Sequence, residues 1–367
     1  MNLSKLLTFA ARAAFLLCSS SMALADVIYV SANGNGQYTA IQPAIDAAQD
    51  SDVLLVRSGT YSAFTLSNRA LWIVADVGAV VKVNGTVIVQ NVAASKSCLL
   101  SGMQVTAVSA GLVGQPAIRI QNNAGNVRLQ GCTLKGGDGS FSVQGFPGGV
   151  GADVLNSVKV AFTSSSSTGG NGGGISLCCS PGGRGGDGLT AQGSIVALYD
   201  CTLKGGVGGL ADYIFPTDRA GDGGDGCHVY DFGILASGSQ FQGGMGGGGS
   251  TIPGNGGAGL RVESGQAQLI GDTFAGGLGG WGYYGNHGGT GPPQTGPGVL
   301  NLFTGAARKL TTRTIVAENG ALQLDLAGEP GDKFWLFQSA SPGFVYSPAR
   351  AGVLLVALPA LSSLLPH

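Results

Sequence analysis

No run of basic residues occurs in this 367-residue chain, which holds 19 Lys and Arg against 20 Asp and Glu. The electrostatic footprint of a nucleic-acid partner is therefore missing. Histidine is scarce, with three in all, which counts against a zinc centre built on the cysteines. Past the N-terminus the only apolar run, Val353 to Leu365, is interrupted by Pro359 and too short to cross a bilayer.

The N-terminus reads as an export signal. Lys5 and Arg12 precede an apolar stretch at Ala13 to Leu17, and Ala23-Leu24-Ala25 is a small-residue cleavage site, so the mature chain is expected to begin at Asp26. Cys18 follows Leu17, whereas a lipid-modified cysteine normally follows a small residue, so ordinary secretion is the better reading. Removing Lys5 and Arg12 leaves 17 basic against 20 acidic residues, a net charge of −3.

Glycine is abundant and ordered. Five pairs, Gly136-Gly137, Gly169-Gly170, Gly205-Gly206, Gly243-Gly244 and Gly276-Gly277, recur at intervals of 33, 36, 38 and 33 residues. Nine residues before each pair stand Val127, Val160, Val196, Ile234 and Ala267; seven before stand Leu129, Phe162, Leu198, Ala236 and Leu269. Four before come Cys132, Ser165, Cys201, Ser239 and Asp272, and two before come Leu134, Ser167, Leu203, Phe241 and Phe274. Three of these four columns can face a core. Residues two apart share one face of a strand, and a repeat of this length means a stacked solenoid with one rung per coil. A single solenoid accommodates a chain of this length without splitting into domains.

Residues 26 to 65 differ in texture. Thr39 and Gln42 have capping-box spacing, Ile41 and Ile45 share a helical face with Ala44 and Ala48, and Pro43 falls in the first turn, where it is tolerated. This short helix is expected to cover the apolar end of the first coil. Strand-like runs follow at Asp52 to Val56, Leu71 to Val74, Val80 to Val83 and Val87 to Val89.

The segments Ile28-Tyr29-Val30-Ser31, Gly36 to Gln42, Ala44 to Ala48, Asp52 to Val56 and Ser58-Gly59-Thr60-Tyr61 resemble the start of right-handed parallel β-helix proteins of the pectin-lyase-like class. The resemblance implies an all-β solenoid with an N-terminal capping helix. The class includes polysaccharide lyases, polygalacturonases, pectin methylesterases and proteins of no known activity, so the fold does not decide function. The chain departs from two of these. Gly85-Thr86-Val87-Ile88 echoes the methylesterase catalytic segment but lacks its Asp; Asn286-His287-Gly288 lacks the first glycine, and Arg119-Ile120-Gln121 the lysine, of the polygalacturonase motifs.

Residues 136 to 298 hold 51 of the 67 glycines, in loops expected to stack from rung to rung into one lateral wall, a broad surface and not a deep pocket. Cys98, Cys132, Cys178, Cys179, Cys201 and Cys227 remain after signal removal. Cys132 and Cys201 share a column two rungs apart, about 10 Å, beyond the ~7 Å that a disulfide bridges, so both read as small core residues, as does Cys227. Cys178-Cys179 lie in a loop, open to a neighbour bridge, a bond elsewhere or free thiols.

Gly182 to Thr190 matches the glycine-rich calcium nonapeptide and Ala220 to His228 nearly does, which places Asp187 and Asp225 on neighbouring rungs. Stacked carboxylates repel unless a cation such as Ca2+ lies between them; the plainer reading is two solvated aspartates in turns. The same region offers acid-base candidates in Asp222, Asp225, His228 and Asp231, with Arg219 and Arg184 nearby. If Cys227 points inward, His228 points outward and stays available. Tyr213, Phe215, Trp281, Tyr283 and Tyr284 stand among small residues, where rings either stack on sugar faces or fold back over the solenoid.

After Leu302 the glycine pattern stops. Ala321 to Leu326, Lys333 to Phe337 and Gly352 to Leu358 read as strands of a small β-rich module, residues 303–367, that caps the far end or is part of a longer domain. The expectation is a secreted β-helix over 26–302 that displays a glycine-rich surface to carbohydrate or cell envelope without catalysis. The alternative is a lyase or hydrolase acting on a uronate-containing polymer.

Overall fold

The computed structural model describes residues 25–305 except 143, 176–179, 212–218 and 250, and beyond them 307, 309–312, 324–327, 335–338, 342–347, 352–356 and 361–364. The export signal, Cys178, Cys179, Tyr213 and Phe215 lie outside the described residues.

Three parallel sheets run the length of a right-handed β-helix. Sheet A has ten strands from Val27–Val30 to Val299–Phe303, sheet B eight from Gly59–Ser62 to Thr273–Ala275, and sheet C eight from Thr65–Ser67 to Gln294–Thr295. The chain passes A, B, C and back to A one rung higher, so each coil contributes one strand to each sheet.

The repeat columns are the rungs. Val127 pairs with Val160, Val160 with Val196, Val196 with Ile234 and Ile234 with Ala267, and all five are buried. Leu134, Ser167, Leu203 and Phe241 pair in the same way on sheet B, and Phe241 stacks on Phe274 at 5.1 Å. The fourth column is buried as well. Gly131, Ser164, Asp200, Gly238 and Gly271 take positive φ at the corner from sheet A to sheet B. That turn sends the next residue inward, so Cys132, Ser165, Cys201 and Ser239 form an internal ladder. Its polar atoms are satisfied: Cys132 N donates to Ser165 Oγ, Cys201 N to Ser239 Oγ and Ser239 N to Asp272 Oδ1. Cys98, Cys132, Cys201 and Cys227 are free and buried, and burial pushes the thiols of Cys98 and Cys201 up to about 12.

Helix α1, Ile41–Ala47, buries Ile41, Ala44 and Ile45 in the same core as Val30 and Leu54. The capping box does not form. Ala40 occupies the N-cap, and Gln42 instead bonds Asp46 and the backbone N–H of Thr65. At the other end of the chain, Lys309–Thr312 pairs with Leu324–Ala327, Trp335–Gln338 with Leu361–Leu364, and Pro342–Ser347 with Gly352–Val356, all antiparallel. Pro342–Ser347 lies against Asn126–Gln130, on the flank of sheet A.

The glycine-rich loops between sheets B and C are regular. From each glycine pair the chain runs outward in G-G-x triplets, turns, and returns in triplets into sheet C. Burial follows a period of three, with both glycines inside and x outside, as in Gly205, Gly206, Val207, Gly208, Gly209 and Leu210. Three residues per turn with no bond inside a segment is the polyproline II helix, whose backbone groups must all bond sideways. They do so by a simple rule. The first glycine donates to the x carbonyl of the next coil, as Gly172 N to Val207 O and Gly208 N to Met245 O, both 2.8 Å. The second donates across to the opposite layer. Gly149 to Gly137, Gly170 to Gly149, Gly186 to Gly170, Gly206 to Gly186 and Gly224 to Gly206 form one continuous ladder of 2.7 to 2.9 Å. Where x follows an Asn or Asp one coil back, that side chain takes its N–H: Asn171 N donates to Asp138, Val207 N to Asn171, Asn255 N to Asp222 and Ala258 N to Asp225.

The result is a two-layer slab that extends the solenoid sideways. Glycine is needed for contact here and not for handedness: a Cβ on Gly206 would sit 2.0 Å from Gly170 O, and one on Gly224 1.9 Å from Gly186 O. The outside of sheet B continues into the outside of the outgoing layer, and the outside of sheet C into that of the returning layer.

Candidate functional site

The two outer faces of the slab differ in chemistry. On the returning side, the x positions nearest sheet C are Asp187 and Asp225, and sheet C continues the row with outward-facing Thr190, His228 and Arg261, which are neighbours in register. Three-residue spacing puts Arg184 one turn before Asp187 on the same edge. Arg184 Nη2 lies 2.8 Å from Asp187 Oδ1 and 3.0 Å from Asp225 Oδ2, and Arg261 Nε lies 2.7 Å from that same Oδ2. Backbone N–H groups add to this: Asp225 N donates to the same Asp187 Oδ1 at 2.7 Å, and Ala258 N to Asp225 Oδ1 at 2.6 Å.

Asp187, Asp225 and His228 thus converge, and their ligand-type atoms all lie within 4.8 Å of one another. His228 Nδ1 is 3.4 Å from Asp187 Oδ2 and Nε2 is 3.4 Å from Glu263 Oε1, while Tyr230 stacks on the imidazole at 4.1 Å. Burial alone would raise the Asp187 carboxyl, but His228 and Arg184 beside it outweigh that and hold it below the usual range. Burial raises the Tyr230 phenol, with Asp187 adding to it.

His228 does face outward, as the inward Cys227 requires, yet it is only 8% exposed, with the Tyr230 ring stacked over it. The aspartates are buried too, which corrects the picture of solvated turn residues. Guanidinium groups stand at Asp187 Oδ1 and Asp225 Oδ2 while Asp187 Oδ2 faces His228, so ion pairs tie slab to sheet here. Asp222 lies elsewhere, held by both oxygens to Arg219 Nη2 at 3.1 and 2.9 Å, and Asp231 accepts Ser264 Oγ at 2.8 Å. Neither joins the cluster. Two cavities of about 300 and 170 Å³ lie elsewhere again, one around Asn33, Arg57 and Asp76 and the other around Ile195, Phe232 and Leu235.

The outgoing side is open, and its outer positions are apolar. Its outer x positions are Phe141, Gly174, Leu210, Gly248 and Trp281, one per coil, and its inner ones Asp138, Asn171, Val207, Met245 and Leu278. Phe141, Leu210 and Trp281 are 67%, 63% and 70% exposed. The Phe141 ring lies over Gly174, where a Cβ would come within 2.8 Å of it, so the ring is laid against the slab with its other face in water. Trp281 meets His287 edge-on at 4.5 Å, and Tyr283 meets Tyr284 at 5.2 Å at the tip of the last coil, both tyrosines exposed. Trp281, Tyr283 and Tyr284 were visible as aromatics among glycines. Phe141, Leu210, Tyr230, Arg261 and Glu263 were not singled out; the triplet period, read as a period, would have found the first two.

The molecule is a parallel β-helix carrying a lateral polyproline II slab, the architecture that the resemblance implies with an added part. No family model and no curated protein matches the chain. Among solved structures it is similar to pectate lyase Pel9A, with 12% identity over 77% of this chain and 78% of that one at a TM-score of 0.31. It is similar also to pectin methylesterase from carrot, with 11% identity over 76% and 88% at 0.29. A third likeness is to the nine polyproline type II helical bundle springtail antifreeze protein from Granisotoma rainieri, with 23% identity over 47% and 95% at 0.17. At these scores none of the three bears on activity.

Proposed function

We propose that the chain is a secreted, non-catalytic scaffold that binds polysaccharide through the outer face of its outgoing slab layer. The observation that carries this is the line Phe141, Leu210 and Trp281, exposed on successive odd coils of a rigid backbone array. Sugar rings have apolar faces that stack on aromatic rings, and rings held before binding lose little freedom when a ligand arrives. Secretion rests on the export signal at residues 1–25. The burial and ion pairing of Asp187, Asp225 and His228 support a structural role for the one acid-base cluster among the described residues, since proton transfer needs a group within reach of substrate.

The test is sedimentation of the mature chain with polysaccharide particles, alongside assays for new reducing ends and for the ultraviolet-absorbing double bond that lyases create. Retention in the pellet, lost in Phe141→Ala/Trp281→Ala, with neither product signal, is the expected result. Turnover at catalytic enzyme levels, or equal retention of the double variant, refutes the proposal.

A further inference from the structure

The apolar line is one edge of a wider plane. Each of the last five strands of sheet B runs straight into an outgoing slab segment, so the outward residues of both fall on one surface in four columns. The first is Thr133, Ser166, Thr202, Gln240 and Thr273, and the second Lys135, Thr168, Lys204, Gln242 and Ala275; within each, neighbours are in register. The third and fourth are the two sets of x positions already described. The sheet columns point outward because Leu134, Leu203 and Phe241 between them point into the core. They contain hydroxyls, amides and two lysines, with no carboxylate. Rungs are about 4.8 Å apart, which makes the plane about 19 Å along the solenoid axis. The eight residue-to-residue steps from Thr133 to Phe141 at about 3.1 Å each make it about 25 Å across.

Two features specify an occupant. Large side chains alternate with glycine in the fourth column, so Phe141, Leu210 and Trp281 recur every second rung, about 10 Å apart. A β-linked chain with two-fold symmetry turns the same ring face to one side at every second sugar. The plane is also wider than one sugar chain, and hydroxyl-binding columns lie beside the stacking column on the same level. Resting on the carbohydrate reading above, we infer that the plane takes the ordered face of an insoluble, uncharged, β-linked polysaccharide. Parallel chains run along the solenoid axis, one over Phe141 and Trp281 and the next over the threonine and glutamine columns.

Adsorption of the mature chain to microcrystalline cellulose and to chitin particles is compared with calorimetric binding of the soluble hexasaccharides of each. Thr202→Glu/Gln240→Glu probes the sheet columns at exposed positions, and its melting temperature checks that it folds. The inference expects adsorption to one of the particles at least tenfold tighter than binding of its hexasaccharide. Trp281→Ala should weaken both, while the double glutamate variant should weaken adsorption tenfold and leave hexasaccharide binding in place. Equal affinity for hexasaccharide and particle means a single-chain site and overturns the inference while the carbohydrate reading survives. Unchanged adsorption of the glutamate variant likewise overturns it. Binding to neither probe removes both readings, and reshaping of growing ice crystals by a protein that ignores both polysaccharides assigns the plane to another lattice and overturns the inference.

Discussion

Replacing Gly206 with Ala tests the slab at its centre. Gly206 N donates to Gly186 O at 2.8 Å and its carbonyl accepts Gly224 N at 2.9 Å, so it sits mid-ladder between the layers. The added Cβ would lie 2.0 Å from Gly170 O and 2.6 Å from Gly170 C, both backbone atoms that no rotamer change can move away. Gly170 belongs to the same layer one coil back, so reaching ordinary contact requires the Gly206 segment to move away from its neighbouring coil by more than 1 Å, which carries it off Gly186 and Gly224 in the opposite layer and takes both ladder bonds beyond hydrogen-bonding length. Two lost bonds cost about 1 kcal/mol each and overpacking a further ~1–3 kcal/mol, against roughly 0.4–1 kcal/mol gained from the stiffer unfolded chain. The net loss is about 2–5 kcal/mol. A solenoid need not unfold in one step, so hydrogen exchange of the glycine amides is the assay, with thermal melts beside it. Gly186, Gly206 and Gly224 should exchange at least tenfold faster while sheet A amides keep their protection. Gly289→Ala is the control, because its Cβ meets only the Asn255 side chain, at 3.2 Å. If Gly206→Ala proves as mild as Gly289→Ala, the close contact between neighbouring coils is wrong.

Three further outcomes follow from the charges. Burial raises the Asp272 carboxyl to about 6 despite bonds from Ser239 N and Ile270 N. A raised carboxyl contributes stability that is full below its ordinary value near 4 and lost as pH rises through 6. Asp272→Ser restores the hydroxyl found at Ser165 and Ser239, so between pH 4 and 7 its melting temperature should gain on the native protein; parallel curves refute this. Asp225 is fully buried against two half-exposed arginines, and Asp225→Ala strands their charges beside Asp187, at a cost of about 2–3 kcal/mol after allowance for solvent. Chelator-treated native protein should melt at the same temperature with and without millimolar calcium, since arginines already pair with both carboxylates; a calcium-dependent rise refutes the ion-pair reading.

The solenoid was legible because its core columns repeat, and a column of Val127, Val160, Val196, Ile234 and Ala267 permits one strand register. The columns also gave the free state of Cys132 and Cys201. What escaped was set by packing outside the repeat. Outward residues were read as solvated by alternation alone, and nothing in the alternation told that Arg184 and Arg261 would close over Asp225, or that Tyr230 would cover His228. The triplets were in view, but glycine was valued for the positive φ it permits. The slab uses it for the absence of a side chain, and that difference turns a set of flexible loops into a bonded array with defined faces.

Repetition of this kind carries a hazard, and the last coil meets it. Along the returning layer each segment receives bonds from the coil before and offers its own N–H groups to the coil after. Gly226 donates to Ala258 O, Gly259 to Pro292 O and Leu260 to Pro293 O. Pro292 and Pro293 stand where Asp225-Gly226 and Ala258-Gly259 stood, and neither has an N–H to pass on. Ala258, one coil earlier, has already ended the carboxylate series, so no side chain waits for the amide that Pro292 lacks. A strand from another molecule that approached this edge would find carbonyls spent and donors missing. The array is therefore written with its own stop, and a sequence otherwise suited to endless end-on growth into fibres remains, along this layer, a particle of fixed length.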